Sequence, residues 1–119
     1  MVISSTHDFS STPGHDEIIQ KLDAMSKIDA DILKVAYTPT QPSDVFTLMS
    51  AVGTFSRHSS APVIGISMGT MGLVSRYAAE SFGSCLTFGT IGENSAPGQP
   101  DAAELTDLVT RIHNLSKGV

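Results

Sequence analysis

Four times along this chain a short run of β-branched and apolar residues gives way to a stretch with apolar residues at helical spacing. That alternation limits the fold more than any other feature. Val2–Ser5 running on into the polar end Thr6-His7-Asp8-Phe9, Asp29–Thr38, Pro62–Met68 and Cys85–Ile91 read as strands, because each is short and bounded by turn formers. A helix is predicted from Asp16, with Ile18, Ile19, Leu22 and Met25 on one face, and a second after Ser43 or Asp44 as cap, with Val45, Leu48, Met49, Val52 and Phe55. Leu73 to Phe82 reads as a short helix closed by Gly83, and a last helix from about Asp101 carries Leu105, Leu108, Val109, Ile112 and Leu115. Strands alternating with helices imply a parallel sheet with helical crossovers. Two architectures satisfy the order: a small open doubly wound sheet, or four of the eight units of a (β/α)8 barrel. No glycine-rich fingerprint follows the first strand, so a dinucleotide site has no support. A full barrel needs about 200 residues or more, and the chain has 119. No linker divides it, so residues 1–119 are expected to form a single (βα)4 unit.

Bulk properties remove several function classes. A formal net charge of -5 with no basic stripe argues against nucleic acid or a membrane surface as partner. Met1-Val2-Ile3 is too short for a signal peptide, and no apolar run reaches membrane-spanning length. Cys85, the single cysteine, lies in an apolar run and is expected to be a small buried hydrophobe in a reducing compartment. A soluble, cytoplasmic protein is the expectation. His15, His58 and His113 show no ligand spacing and read as surface or helix-packing residues, while Met25, Met49 and Met71 read as core filler. No metal and no cofactor is expected.

The chemistry gathers where the predicted strands end, the side on which parallel sheets place their sites. Lys34 sits mid-strand between Ile32-Leu33 and Val35-Ala36. From an edge strand it would snorkel to water. In a strand buried on both faces its ammonium must be paired or its pKa must fall. A lysine with a lowered pKa is a nucleophile that forms an imine with a carbonyl. His7, followed by Asp8, closes the first strand, and an imidazole can carry protons near neutral pH. Gly92–Pro100 is a loop rich in turn formers and longer than a connection requires.

Ser5-Thr6-His7-Asp8-Phe9, Ala30-Asp31-Ile32-Leu33-Lys34, Ser67-Met68 with Gly72 through Ser75-Arg76, Phe82-Gly83, Thr87-Phe88-Gly89 and Ser95-Ala96-Pro97-Gly98-Gln99 together resemble type I 3-dehydroquinate dehydratase, in order and with similar spacing. The resemblance implies a (β/α)8 barrel of the shikimate pathway, of which this chain would be the C-terminal half, strands five to eight. It implies that Lys34 is the Schiff-base lysine and His7 the general acid/base. It further implies that Arg76 pairs with the substrate carboxylate, that Met68 and Phe88 line the pocket, and that Ser95, Ala96 and Gln99 lie on the loop closing over 3-dehydroquinate. The family's acidic partner of the histidine and its N-terminal substrate-binding groups have no counterpart here. A chain with this content is expected either to catalyse the dehydration or to bind a related ligand or protein partner without turnover. An isolated half-barrel exposes two sheet edges, so a homo-oligomer or a complementing N-terminal half-barrel is the expected partner.

Overall fold

The computed structural model describes residues 2–85 and 102–117. Three strands, β1 (Ile3–Asp8), β2 (Ile32–Tyr37) and β3 (Val63–Ser67), form a parallel sheet in the order β1-β2-β3. Helices α1 (His15–Ser26) and α2 (Pro42–Ser56) make the crossovers, followed by α3 (Leu73–Tyr77), a 3-10 helix over Ala79–Phe82, and α4 (Ala102–Lys117). The parallel α/β reading therefore holds over three strands. The fourth predicted strand enters the described residues only at its start, where Ser84 bridges Val63 in parallel and Cys85 N–H donates to Val63 O at 2.8 Å. Its remainder, residues 86–91, lies outside them.

The period-two geometry of a strand splits β2 into two faces. Leu33, Val35 and Tyr37 point toward the helices and pack with Ile18, Leu22 and Met25 of α1 and with Leu48, Ala51 and Val52 of α2. Burying each large aliphatic side chain there stabilises the fold by about 1.5–3 kcal/mol. Ile32 and Ala36 point the other way and join Ile64, Ile66 and Met68 in a second cluster. Lys34 shares that second face. Gly65, on the helix side of β3, lets α2 approach closely: a Cβ there would lie 2.6 Å from Val52 Cγ2.

β1 ends at Asp8, inside the expected polar strand end Thr6-His7-Asp8-Phe9, with His7 and Asp8 in register with Ala36 and Tyr37. Several other boundaries and burials differ from expectation, each for a local reason. Helix α2 starts at Pro42 instead of behind a Ser43 or Asp44 cap. Proline suits the first turn, and Asp44 in that turn accepts from Thr40 N–H and Oγ at 2.9 and 3.1 Å. The predicted Leu73–Phe82 helix breaks at Ala78. A 3-10 turn and left-handed Gly83, at φ 87°, then bring Ser84 back against β3, where its Oγ accepts from Gly65 N–H at 3.0 Å. Cys85 is exposed instead of buried among the described residues, at the point where the chain starts to pair with β3 through Val63. Met71 is 47% exposed instead of core, because it rides the loop between β3 and α3. On α4, Leu108 and Leu115 are exposed; the helix reaches the rest of the fold through α3 and through His113 Nδ1, 2.7 Å from Glu80 Oε1.

Candidate active site

Lys34 and His7 occupy the same face of neighbouring strands. Ser5 lies opposite Lys34, and His7 opposite Ala36. With parallel strands about 4.8 Å apart and rising about 3.3 Å per residue, the two Cα atoms are roughly 8 Å apart. Two long side chains leaning the same way from those positions can meet across a six-membered ring. Lys34 is half-buried while its flanking residues Leu33, Val35, Ala36 and Tyr37 are buried. Burial, and then the like charge of Arg76, hold its ammonium below the ordinary lysine value. The amine is thereby shifted toward the neutral, nucleophilic form.

Arg76 is only 6% exposed, although it belongs to a five-residue helix. Its seat is built at the β3–α3 junction. Buried Ser75 Oγ accepts from Ser67 N–H at 3.0 Å and donates to Gly72 O at 2.8 Å. Gly72 packs so tightly on the end of β3 that a Cβ would fall 2.0 Å from Ser67 O. The guanidinium's planar fork of donors suits a carboxylate. Met68 extends the same face at the end of β3, its N–H donating to Tyr37 O at 2.8 Å.

The end of β1 is clamped. Asp8 carboxylate accepts Ser10 N–H and Oγ, both at 2.8 Å, and Ser11 N–H and Oγ at 3.2 and 3.3 Å. Those bonds, Ser10 foremost, hold its carboxyl below the usual carboxylate range. Thr38 Oγ donates to Asp8 O at 3.0 Å and Thr38 N–H to Ser11 O at 3.2 Å, tying the loop to the end of β2. Burial, and then the Asp8 charge, raise the Tyr37 phenol. His7 stacks on Phe9 with ring centroids 6.1 Å apart and planes 10° apart.

The family profile described as type I 3-dehydroquinase matches residues 1–116. The chain belongs to that family. Over 112 residues it is 43% identical to the catabolic 3-dehydroquinate dehydratase of Acinetobacter baylyi, covering 94% of this chain and 41% of that protein. It is 44% identical over 113 residues to the 3-dehydroquinate dehydratase of Salmonella heidelberg, covering 94% and 45%. Among solved structures, the type I 3-dehydroquinate dehydratase from Clostridium difficile, crystallised with covalently modified comenic acid, superposes with a TM-score of 0.89 at 39% identity, over 94% of this chain and 44% of that one. The enzyme from Geobacillus kaustophilus gives 0.90 at 31% identity, with the same coverage. The chain spans less than half the length of these relatives. Its α/β units thus match under half of a family with the TIM-barrel architecture.

Of the site residues expected from sequence, His7, Lys34 and Met68 share the inner face of the sheet, and Arg76 is placed close enough for its charge to act on Lys34. Phe88, Ser95, Ala96 and Gln99 lie outside the described residues. Sequence reasoning passed over the Asp8 clamp, the Ser75 junction and the Phe9 stack. The Asp-x-Ser-Ser run after a strand was the available signal for the clamp, since such carboxylates bond backbone N–H groups two residues on. Among the described residues no cluster of His, Cys, Asp and Glu is placed to hold a metal ion, and no helix is long and apolar enough to cross a membrane.

Proposed function

We propose that this chain carries the Lys34 portion of a 3-dehydroquinate dehydratase site and converts 3-dehydroquinate to 3-dehydroshikimate through a Schiff base. The observation that carries the reading is the seat of Lys34: a primary amine desolvated on the inner face of a parallel sheet, beside Arg76 and one strand from His7. In this mechanism the neutral Nζ attacks the C3 ketone, water leaves, and an iminium forms. The cation draws electrons from the adjacent C2–H bond. His7 takes that proton, the C2–C1 double bond forms, and the C1 hydroxyl departs as water after receiving a proton from the imidazolium. Hydrolysis of the imine releases the product and restores Lys34. Arg76 holds the substrate carboxylate, with Met68 and Phe88 as apolar walls and Ser95, Ala96 and Gln99 on the loop above. The chemistry requires no cofactor.

In the same proposal the four units are the C-terminal half of the barrel, assigned from the order of the His7-Asp8, Lys34, Arg76 and Ser95–Gln99 motifs. The missing walls come from a further (βα)4 unit, either a second copy of this chain or a complementing half. Ile3, Ser5 and His7 on the inner face of β1 are exposed, and such a unit would cover them. Sedimentation reads this directly: a strictly monomeric chain rules out self-association.

Borohydride reduction in the presence of 3-dehydroquinate tests the chemistry. A mass adduct on Lys34 is expected, absent from Lys34→Met, and the rate of its formation should inflect below the ordinary lysine value of 10.5. Formation of the conjugated product, followed by ultraviolet absorbance, then reports turnover. No adduct on Lys34 overturns the Schiff-base reading; an adduct without turnover leaves a ligand-binding half-site.

A further inference from the structure

We propose that Phe9 is a positioning residue for His7, its ring stacked on the imidazole so as to hold one orientation of the proton carrier over the Lys34 adduct. The inference rests on the dehydratase reading for its consequence, but not for its geometry. Residues i and i+2 at a strand end project to the same side, so His7 and Phe9 stand side by side above the end of β1. Their planes are within 10° of parallel at a 6.1 Å centroid separation, inside the range of offset-stacked rings.

Phe9 is 79% exposed within this chain, so packing against the described residues gives little reason for a phenyl group here. Its backbone, by contrast, is fixed on both sides. Asp8 accepts from Ser10 and Ser11, Asp8 O accepts Thr38 Oγ, and Thr38 N–H donates to Ser11 O. A ring anchored this firmly can restrict a neighbour. His7 is itself exposed within this chain, and there an imidazole without a ring beside it turns freely about χ1 and χ2. General acid–base catalysis needs the ring nitrogen within hydrogen-bond reach of the moving proton, and misplacement costs rate steeply.

The test compares the parent chain with Phe9→Leu and Phe9→Tyr, reading the His7 rotamer by its Hα–Hβ couplings and the two chemical steps separately. The parent is expected to show one large and one small coupling. These collapse to near equality in Phe9→Leu and return in Phe9→Tyr, while the thermal midpoint of Phe9→Leu stays at the parent value because the ring is exposed. Borohydride trapping on Lys34 should stay within about twofold in Phe9→Leu, and dehydration should fall about tenfold, since only the proton-transfer geometry is lost. Averaged couplings in the parent, or couplings unchanged by Phe9→Leu, overturn the proposal. So does a dehydration rate unaffected by Phe9→Leu. A parent chain that forms no imine overturns the dehydratase reading instead, and the couplings still decide whether Phe9 orients His7.

Discussion

A methyl group at Gly65 tests how tightly α2 is seated behind the Lys34 strand. An ideal Cβ at that position lies 2.6 Å from Val52 Cγ2 and 3.2 Å from its Cβ and Cγ1. Carbon pairs settle at about 3.5–4.0 Å, so Val52 or the whole of α2 must retreat by about 1 Å. Val52 is fully buried, in one cluster with Val35 and Leu48, and has no solvent to swing into. Overpacking of this kind costs about 1–3 kcal/mol, against a gain of about 0.5–1 kcal/mol from replacing glycine in a strand. A net loss of about 1–2 kcal/mol is expected for Gly65→Ala. Val52→Ala alone leaves a cavity and costs on the order of 2 kcal/mol. Together the new methyl occupies part of the space vacated, so the double variant should be more stable than the sum of the singles by at least about 1 kcal/mol. Urea unfolding followed by far-ultraviolet circular dichroism measures all four proteins, with equal slopes as the check on two-state behaviour. Additivity within about 0.5 kcal/mol, or a Gly65→Ala chain as stable as the parent, would refute the reasoning.

Two other perturbations probe the site's supports. Ser75→Ala strands the buried Ser67 N–H that its Oγ accepts from; urea unfolding should show a loss of about 1–3 kcal/mol, and an unchanged midpoint would mean that α3 is not fixed through this hydroxyl. Asp8 and Asp44 both have carboxyls held below 3.8, Asp8 chiefly by Ser10 and Asp44 chiefly by Thr40 N–H. Their contribution to stability is full above that unfolded value and fades as pH falls through the lower folded values, so an Asp8→Asn, Asp44→Asn chain should show a flatter decline of unfolding midpoint below pH 3.8. An acid limb identical to the parent's would remove both hydrogen-bonded carboxylates from consideration.

Periodicity located what depends on periodicity. Leu33, Val35 and Tyr37 on one side and Ile18, Leu22 and Leu48 on the other meet as their spacing predicts. β1 is the weakest of the three by apolar pattern, because its helix-facing residues Ser4, Thr6 and Asp8 are polar and its inner-face residues are exposed; its polar end is what places His7 there. The burial of Arg76 was not legible either. In a short helix an arginine reads as solvated, and only the close approach of Gly72 and Ser75 to Ser67 turns that helix so that position 76 is enclosed. Met71 and Cys85 differ in the opposite sense: apolar by type, they are exposed among the described residues, Met71 on the loop after β3.

The two faces of β2 divide the protein's tasks, and that division explains how so awkward a residue as Lys34 is tolerated. Leu33, Val35 and Tyr37 secure the strand against α1 and α2, while Ile32 and Ala36 pack with Ile64 and Ile66 on the inner face. Lys34, one residue out of phase with the helix-side cluster, is carried into a partly desolvated position between these packed neighbours. The charged form is disfavoured there by burial and by Arg76, the two effects on which the proposed attack on a carbonyl relies. A single-residue slip of register would exchange the faces, placing the amine in the helix-facing core and the aliphatic residues at the site. Strand register thus decides stability and chemistry together.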